Sequence, residues 1–295
     1  MEKKQQMKTL QRIHGWQIHH HEKLLFQANA GTPIIRLKFY HYPPYRQTVE
    51  INKYPEKCHL KSKGNNTYFL FQHKVGTKGI ISLERIITVY PRPSFLMNTT
   101  DWGNITDIPK RLQQKYQQRS PYWPLHTNAI HDIPHQDWFH TNDVFLWVQA
   151  ASTYIKETIK HPEKQQKRLG AEQAFLTGNG DCEEFTDLFI TFARMKGIPS
   201  RRLTGYFITK PQNVTAEAHA WGEILSPVHG WIPIDIPLNN LGNHTPNYVI
   251  EKIEEFNPAL PNYQIHTKQA TTVHHQWERP VPSITPIYES YETMT

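Results

Sequence analysis

The stretch Thr177–Pro199, TGNGDCEEFTDLFITFARMKGIP, is a helix with both of its ends written into the sequence. Asp181 is a good N-cap, and Glu184, three residues on, completes a capping-box pattern. Phe185, Leu188, Phe189, Phe192 and Met195 recur at three and four residues and define one apolar face. Gly197 suits the C-terminal cap, and Pro199 cannot continue the helix. A helix is therefore expected from about Cys182 to Lys196, with its apolar face packed against a sheet or other helices. It carries a thiol in its first turn.

Two readings of Cys182 are open from this stretch. One is a small buried hydrophobe. The other is a reacting atom, because the start of a helix favours negative charge and its free N–H groups can hold an oxyanion. Asp181, Glu183 and Glu184 oppose a thiolate there, so the second reading needs a cationic partner.

A partner is offered downstream in AEAHAWGEILSPVHGWIPIDIP, read as two strands around a short turn at Ser226–Gly230. His219, Trp221, Glu223 and Leu225 share one face of the first strand, and Trp231, Pro233 and Asp235 share a face of the second. If facing residue numbers sum to 454, His219 lies directly across from Asp235. If they sum to 456, Trp221 does, and His219 is diagonal to it. Either register puts imidazole and carboxylate on one face, with Cβ atoms about 5 to 8 Å apart. An odd sum would separate them. A thiol at a helix start with a His–Asp pair on neighbouring strands is an activated-nucleophile arrangement.

The remaining chain sets the frame. It has 295 residues, enough for one large or two ordinary domains, and 38% hydrophobic content supports a globular core. Residues 1–30 read as polar and irregular, with HHH at 19–21 as a solvated patch. From about Pro33 to Tyr90 the pattern is β-rich, with a hairpin turn in SKGNN at 62–66. Helices are expected in IPKRLQQKYQQ, in TNDVFLWVQAASTYIKETIK and in AEQAFL. In the second, Val144, Trp147, Val148, Ala151, Tyr154 and Ile155 form the apolar face and Pro162 is the stop. The expected fold is α+β: a sandwich-like antiparallel β domain over 1–100, an α+β core over 101–265, and a tail over 266–295.

Two cysteines, Cys58 and Cys182, make no disulfide framework, and Cys58 reads as structural. No signal peptide or membrane span is read, so the expected compartment is the cytoplasm, with no membrane partner. The net charge of +7 is scattered, apart from pairs such as Lys3–Lys4 and Arg201–Arg202, so no nucleic-acid partner is expected. His126, His131, His135 and His140 fit no metal spacing; no metal or cofactor is expected.

The motifs GNGDCEEFTDLFITFARMKGIPSRRLTGY, HAWGEI and GWIPIDIP resemble the transglutaminase-like superfamily of papain-like cysteine enzymes, in its bacterial and archaeal form. Arg194, Gly197, Ile198, Pro199 and Arg201 match that family's turn after the nucleophile helix. Cys182, His219 and Asp235 fall on its nucleophile, base and orienting acid. The resemblance covers residues 178–237, and implies a papain-like core in which the nucleophile helix packs on a small antiparallel sheet. It also implies acyl transfer through a thioester at Cys182, on a protein or peptide substrate. The G-Q-C-W motif of animal transglutaminases is absent, as are the CxxC pairs of peptide N-glycanases and the R-G-G-x-C motif of arylamine acetyltransferases. A protease or amidase is therefore expected, ahead of a protein transglutaminase or a non-catalytic interaction protein on the same fold. The Cys182 N–H is the first oxyanion donor by resemblance, with Gln173 or Trp221 as candidates for the second.

Overall fold

The computed structural model describes residues 7–29, 34–53, 56–92, 99–161, 167–209, 214–256, 263–266, 272–278 and 282–294. Two antiparallel sheets form a β sandwich. In the first, β1 (Met7–Ala28) is flanked on one side by β6 (Lys78–Pro91) and then β3 (Gln47–Lys53), and on the other by β13 (Val273–Glu278) and β14 (Ser283–Met294). In the second the order is β12 (Tyr263–His266), β2 (Ile34–His41), β5 (Asn66–Lys74), β4 (Cys58–Lys63). Leu24, Phe26 and Leu83 of the first sheet pack against Leu37, Phe39, Phe69 and Phe71 of the second. Gly64 and Asn65 turn the chain between β4 and β5, inside the expected hairpin.

Two expectations are corrected here. Residues 7–28, read as irregular, are one long strand. Its inward positions are Trp16, Ile18, His20, Glu22, Leu24 and Phe26, a clean period of two. Two of those positions are polar, which hid the alternation. His20 is satisfied by the Tyr42 hydroxyl at 2.7 Å and Glu22 by Arg85 at 3.1 Å, so polar residues sit in the core without stranded groups at those contacts. HHH is therefore not a solvated patch throughout. The end of the chain, read as a tail, supplies β13 and β14 and closes the edge of β1, which would otherwise present unpaired N–H and C=O groups. β13 keeps most of its side chains in solvent, so its sequence lacks the apolar alternation of a strand.

The second body follows the expected order of elements. The helices are α1 (Lys110–Tyr116), α2 (Val144–Thr158), α3 (Ala171–Thr177) and α4 (Cys182–Lys196). They pack on an antiparallel sheet ordered β10 (Asn240–Leu241), β9 (Gly230–Asp235), β8 (Ala216–Ser226), β7 (Ser200–Ile208), β11 (Tyr248–Glu254). Trp147, Val148, Ala151 and Ile155 of α2 meet Leu188, Phe189 and Phe192 of α4 above Ile224, Ile232 and Ile234 of the sheet. Pro162, the expected stop of α2, lies outside the described residues; the helix ends at Thr158.

The sandwich and this core share a face. Trp16, Ile18, Tyr42, Ile87 and Val89 of the sandwich bury Tyr206, Ile208 and Val249. Gln47 makes the contact specific. Its side-chain amide donates to the Ile250 carbonyl at 2.7 Å and accepts from the Ile250 N–H at 3.0 Å, as a neighbouring strand would. This occurs where the β7–β11 register shifts, between Ile250 and Lys252. Gly205 faces the shift, and a Cβ there would sit 1.9 Å from the Val249 carbonyl oxygen. Gly205→Ala is therefore expected to force β7 and β11 apart. The expected loss is on the order of 3 kcal/mol, or about 5 °C in Tm at this chain size. Thermal unfolding followed by circular dichroism checks this; a Tm within 2 °C of wild type, at roughly the resolution of such a measurement, would show the strands have room.

Candidate active site

The helix that begins at Cys182 is built as its sequence demands. Asp181 caps α4, accepting from the Glu183 N–H at 2.8 Å, and Glu184 reaches back to the Asp181 N–H at 3.1 Å. Glu184 also accepts from the Leu169 N–H at 2.6 Å, which ties the preceding loop to the cap. Burial pushes the Glu184 carboxyl up to about 7, although these two N–H groups hold it down. The glycine two residues before the cysteine has a steric reason. A Cβ on Gly180 would lie 2.3 Å from Glu184 Cβ, so the capping box closes only over a glycine. Thr186 donates to the carbonyls of Cys182 (2.8 Å) and Ala220 (3.2 Å), pinning the first turn of α4 onto β8. The Cys182 N–H, at the first helical position, has no intrahelical acceptor.

The β8–β9 hairpin turns between Ser226 and Gly230 and pairs Glu223 with Pro233 and Gly222 with Ile234. This is the register that sums to 456, with His219 diagonal to Asp235. His219 Nε2 donates to Asp235 Oδ2 at 2.7 Å. The Cys182 thiol lines the same cleft as the ring, and Nδ1 is the ring nitrogen that does not face Asp235. Burial disfavours the imidazolium, but the hydrogen bonds and charges of Asp235 and Cys182 prevail and raise His219 to about 9. The indole of Trp221 stacks on the ring at 6.0 Å.

The acidic residues around the thiol have partners. Arg202, buried, pairs with Glu183 at 2.6 Å and with Glu254. Burial opposes its charge, yet the carboxylates of Glu254, Asp187 and Glu183 hold it above the ordinary guanidinium value. Asp181 is spent on the cap, and Glu184 on two backbone N–H groups. Of the three acidic side chains at the helix start, Glu183 is thus paired with Arg202, and the other two are taken up by backbone N–H groups. The thiol opens into a cleft of about 260 Å³ lined by Cys182, Glu183, Arg202, Thr204, Tyr206, His219, Glu251 and Lys252, among others.

The other sequence candidates sit elsewhere. Gln173 is exposed on α3 and does not line the cleft. Trp221 is buried beside His219, outside the cleft wall, with its indole N–H unpartnered among the described residues. His126, His131, His135 and His140 are exposed, and His131 turns to the Asn128 carbonyl and Asp132. Among the described residues no three His, Cys, Asp or Glu side chains converge on a metal position. Cys58 is buried in the sandwich, where burial pushes its thiol up to about 12. Sequence reasoning missed Tyr248, whose hydroxyl donates to Asp235 Oδ2 at 2.7 Å, and read Arg202 only as half of a basic pair.

Comparison with known proteins agrees with this geometry at the level of fold. Residues 136–236 match the family model of the transglutaminase-like superfamily, so the chain carries a transglutaminase-like core. A candidate cysteine protease from Cytophaga hutchinsonii superposes over 95% of this chain and 100% of its own, at 14% identity and a TM-score of 0.54. The likeness spans both the sandwich and the core. The periplasmic domain of TgpA from Pseudomonas aeruginosa, bound to ethylmercury, aligns over 74% of this chain and 89% of its own, at 15% identity and a TM-score of 0.38. No curated protein matches the chain by sequence.

The His219 environment makes stability depend on pH. A folded-state value raised from 6.5 to about 9 contributes stability that is complete below about 6.5 and lost as pH rises through 9. Urea unfolding at pH 6, 8 and 10 is expected to show wild type ahead of His219→Gln by a margin that shrinks with pH. The change is on the order of 3 kcal/mol, at 1.36 kcal/mol per pH unit. A margin that stays flat across this range would mean that the folded protein does not favour the imidazolium.

Proposed function

We propose that this protein is a cysteine hydrolase of amide bonds, a protease or amidase, acting on a protein or peptide substrate. The His219–Asp235 hydrogen bond at 2.7 Å, with Cys182 beside His219 in one polar cleft, carries this reading. The description of the Cytophaga hutchinsonii protein as a candidate cysteine protease is in keeping with it.

The chemistry follows from the atoms present. His219 takes the thiol proton, and Cys182 Sγ attacks the amide carbon. The carbonyl oxygen becomes an oxyanion facing the Cys182 N–H at the helix start. His219 then protonates the leaving nitrogen, the C–N bond breaks, and a thioester remains on Cys182. Water, losing a proton to His219, attacks the thioester. The C–S bond breaks, a carboxylic acid departs, and the proton returns to the thiol. Asp235 fixes the imidazole tautomer throughout, leaving Nδ1 for the sulfur.

Two tests bear on this. Iodoacetamide near neutral pH is expected to label Cys182 well before Cys58, which is both buried and held protonated. Equal labelling rates in the native protein would remove the activated thiol. Digestion of a proteome-derived peptide library in ¹⁸O water is expected to place one label in each new carboxylate. Cys182→Ala should abolish this while leaving Tm within a few degrees, because a small thiol contributes little packing. Peptides joined to an added primary amine in place of ¹⁸O would transfer the second step from water to an amine.

In the same assay Asp235→Asn is expected to keep the fold and lose on the order of 10 to 10³ in turnover. His219→Ala should lose more, since the base itself is gone. Undiminished turnover in Asp235→Asn would strip that residue of its role.

A further inference from the structure

Asp235 Oδ2 receives two donors, and only one of them belongs to the reacting chain. His219 Nε2 and the Tyr248 hydroxyl both lie 2.7 Å from it. Among the described residues, Oδ1 meets only a long contact, the Leu238 N–H at 3.4 Å. The carboxylate's torsion, and the share of its charge left for the imidazole, therefore depend on the phenol. That phenol is itself built in. Its oxygen accepts from Asn240 Nδ2 at 3.1 Å, and Asn240 is held by the Asn243 carbonyl and N–H. The Tyr248 ring is buried against Phe207 at 4.9 Å, Trp221 at 5.0 Å and His219 at 6.3 Å, so it also walls the imidazole. Burial first, and then the charge of Asp235, hold the phenol well above its ordinary value, which keeps it a neutral donor.

We propose that Tyr248 is a positioning residue of this site: it holds Asp235 in place and limits how strongly that carboxylate grips the His219 imidazolium. The proposal rests on the catalytic reading of Cys182, His219 and Asp235, and adds a fourth member on β11, outside the segment that matches the family model. A carboxylate that gives part of its charge to a second donor leaves the imidazolium less firmly held. The base can then release its proton to the leaving group and recover it from water.

Tyr248→Phe keeps the ring and deletes the donor. With histidine labelled at Cε1 with ¹³C, and the His219 signal assigned by its loss in His219→Gln, NMR titration reads the imidazole directly. In Tyr248→Phe the His219 midpoint is expected to rise by roughly half to one pH unit. Asn240→Ala, which weakens the phenol as a donor, should move it the same way by less. In an Asp235→Asn background, adding Tyr248→Phe should not move it, since the phenol acts through that carboxylate. A purely structural tyrosine would lower Tm and leave the midpoint alone. An unchanged midpoint in both Tyr248→Phe and Asn240→Ala overturns the proposal, and so does an equal shift with Asp235→Asn present. Alkylation separates this failure from failure of the catalytic reading. If His219→Gln slows iodoacetamide labelling of Cys182, that reading stands whatever Tyr248 does. If labelling is indifferent to His219, both fall.

Discussion

A carboxylate with almost no access to water must be given donors by the protein, and Asp235 is such a group. Its donors come from two strands and a turn. β8 supplies His219, β11 supplies Tyr248, and the turn after β9 supplies the Leu238 N–H. Each donor is placed by a different constraint. The β8–β9 register puts His219 on the right face, and a slip by one residue would turn it away. Thr186 presses the cysteine end of α4 onto the same strand at Ala220, next to His219. One buried charge thus needs the helix start, the hairpin register and the edge strand to be correct together.

A second set of buried charges explains why the family turn is rich in arginine. Glu223, wholly buried on β8, receives Arg201 at 2.7 Å from within the core and Arg46 at 2.8 Å and the Tyr45 hydroxyl at 3.1 Å from the sandwich. Arg201 is sandwiched between Trp231 at 4.0 Å and Tyr45 at 4.6 Å. Arg194 bonds the Ser200 carbonyl at 2.7 Å and the Glu255 carbonyl, so the end of α4 is tied to β7 and to the chain after β11. Removing one partner from such a set leaves an uncompensated buried charge, which is far costlier than the pair is worth. The turn motif therefore describes an electrostatic clamp between helix, sheet and sandwich.

What could be read from the sequence was local or periodic. The capping box and the apolar face of α4 follow from spacing alone, and the structure has them where spacing puts them. Spacing left the hairpin register open: two even sums put His219 and Asp235 on one face and an odd sum would part them, and the turn at Ser226–Gly230 selects 456. β1 was hidden by His20 and Glu22, polar residues whose partners, Tyr42 and Arg85, are distant in sequence. β13 and β14 were hidden because an edge strand covering a sheet need not bury much of itself. Gln173, a candidate for the second oxyanion donor, faces solvent on α3. Tyr248 gave no signal, since a tyrosine opening a strand looks like any β-former.

The sandwich also has a place in this scheme. Gln47 satisfies both backbone groups of Ile250 at the point where β11 breaks register, and the break puts Glu251 and Lys252 into the cleft wall. Two residues earlier on the same strand is Tyr248. An edge strand carrying a bulge is the part of a sheet most free to shift, and here a side chain from the other body pairs it as a strand would. The segment matched by the family model ends one residue past Asp235. A chain cut there would retain the thiol, the imidazole and the carboxylate, but would lose the phenol on Asp235, the Glu251–Lys252 wall, and the Gln47 contact that holds both. The assembled site is thus a product of the core and the sandwich together, which gives a physical reason for a β domain to accompany the family segment in this chain.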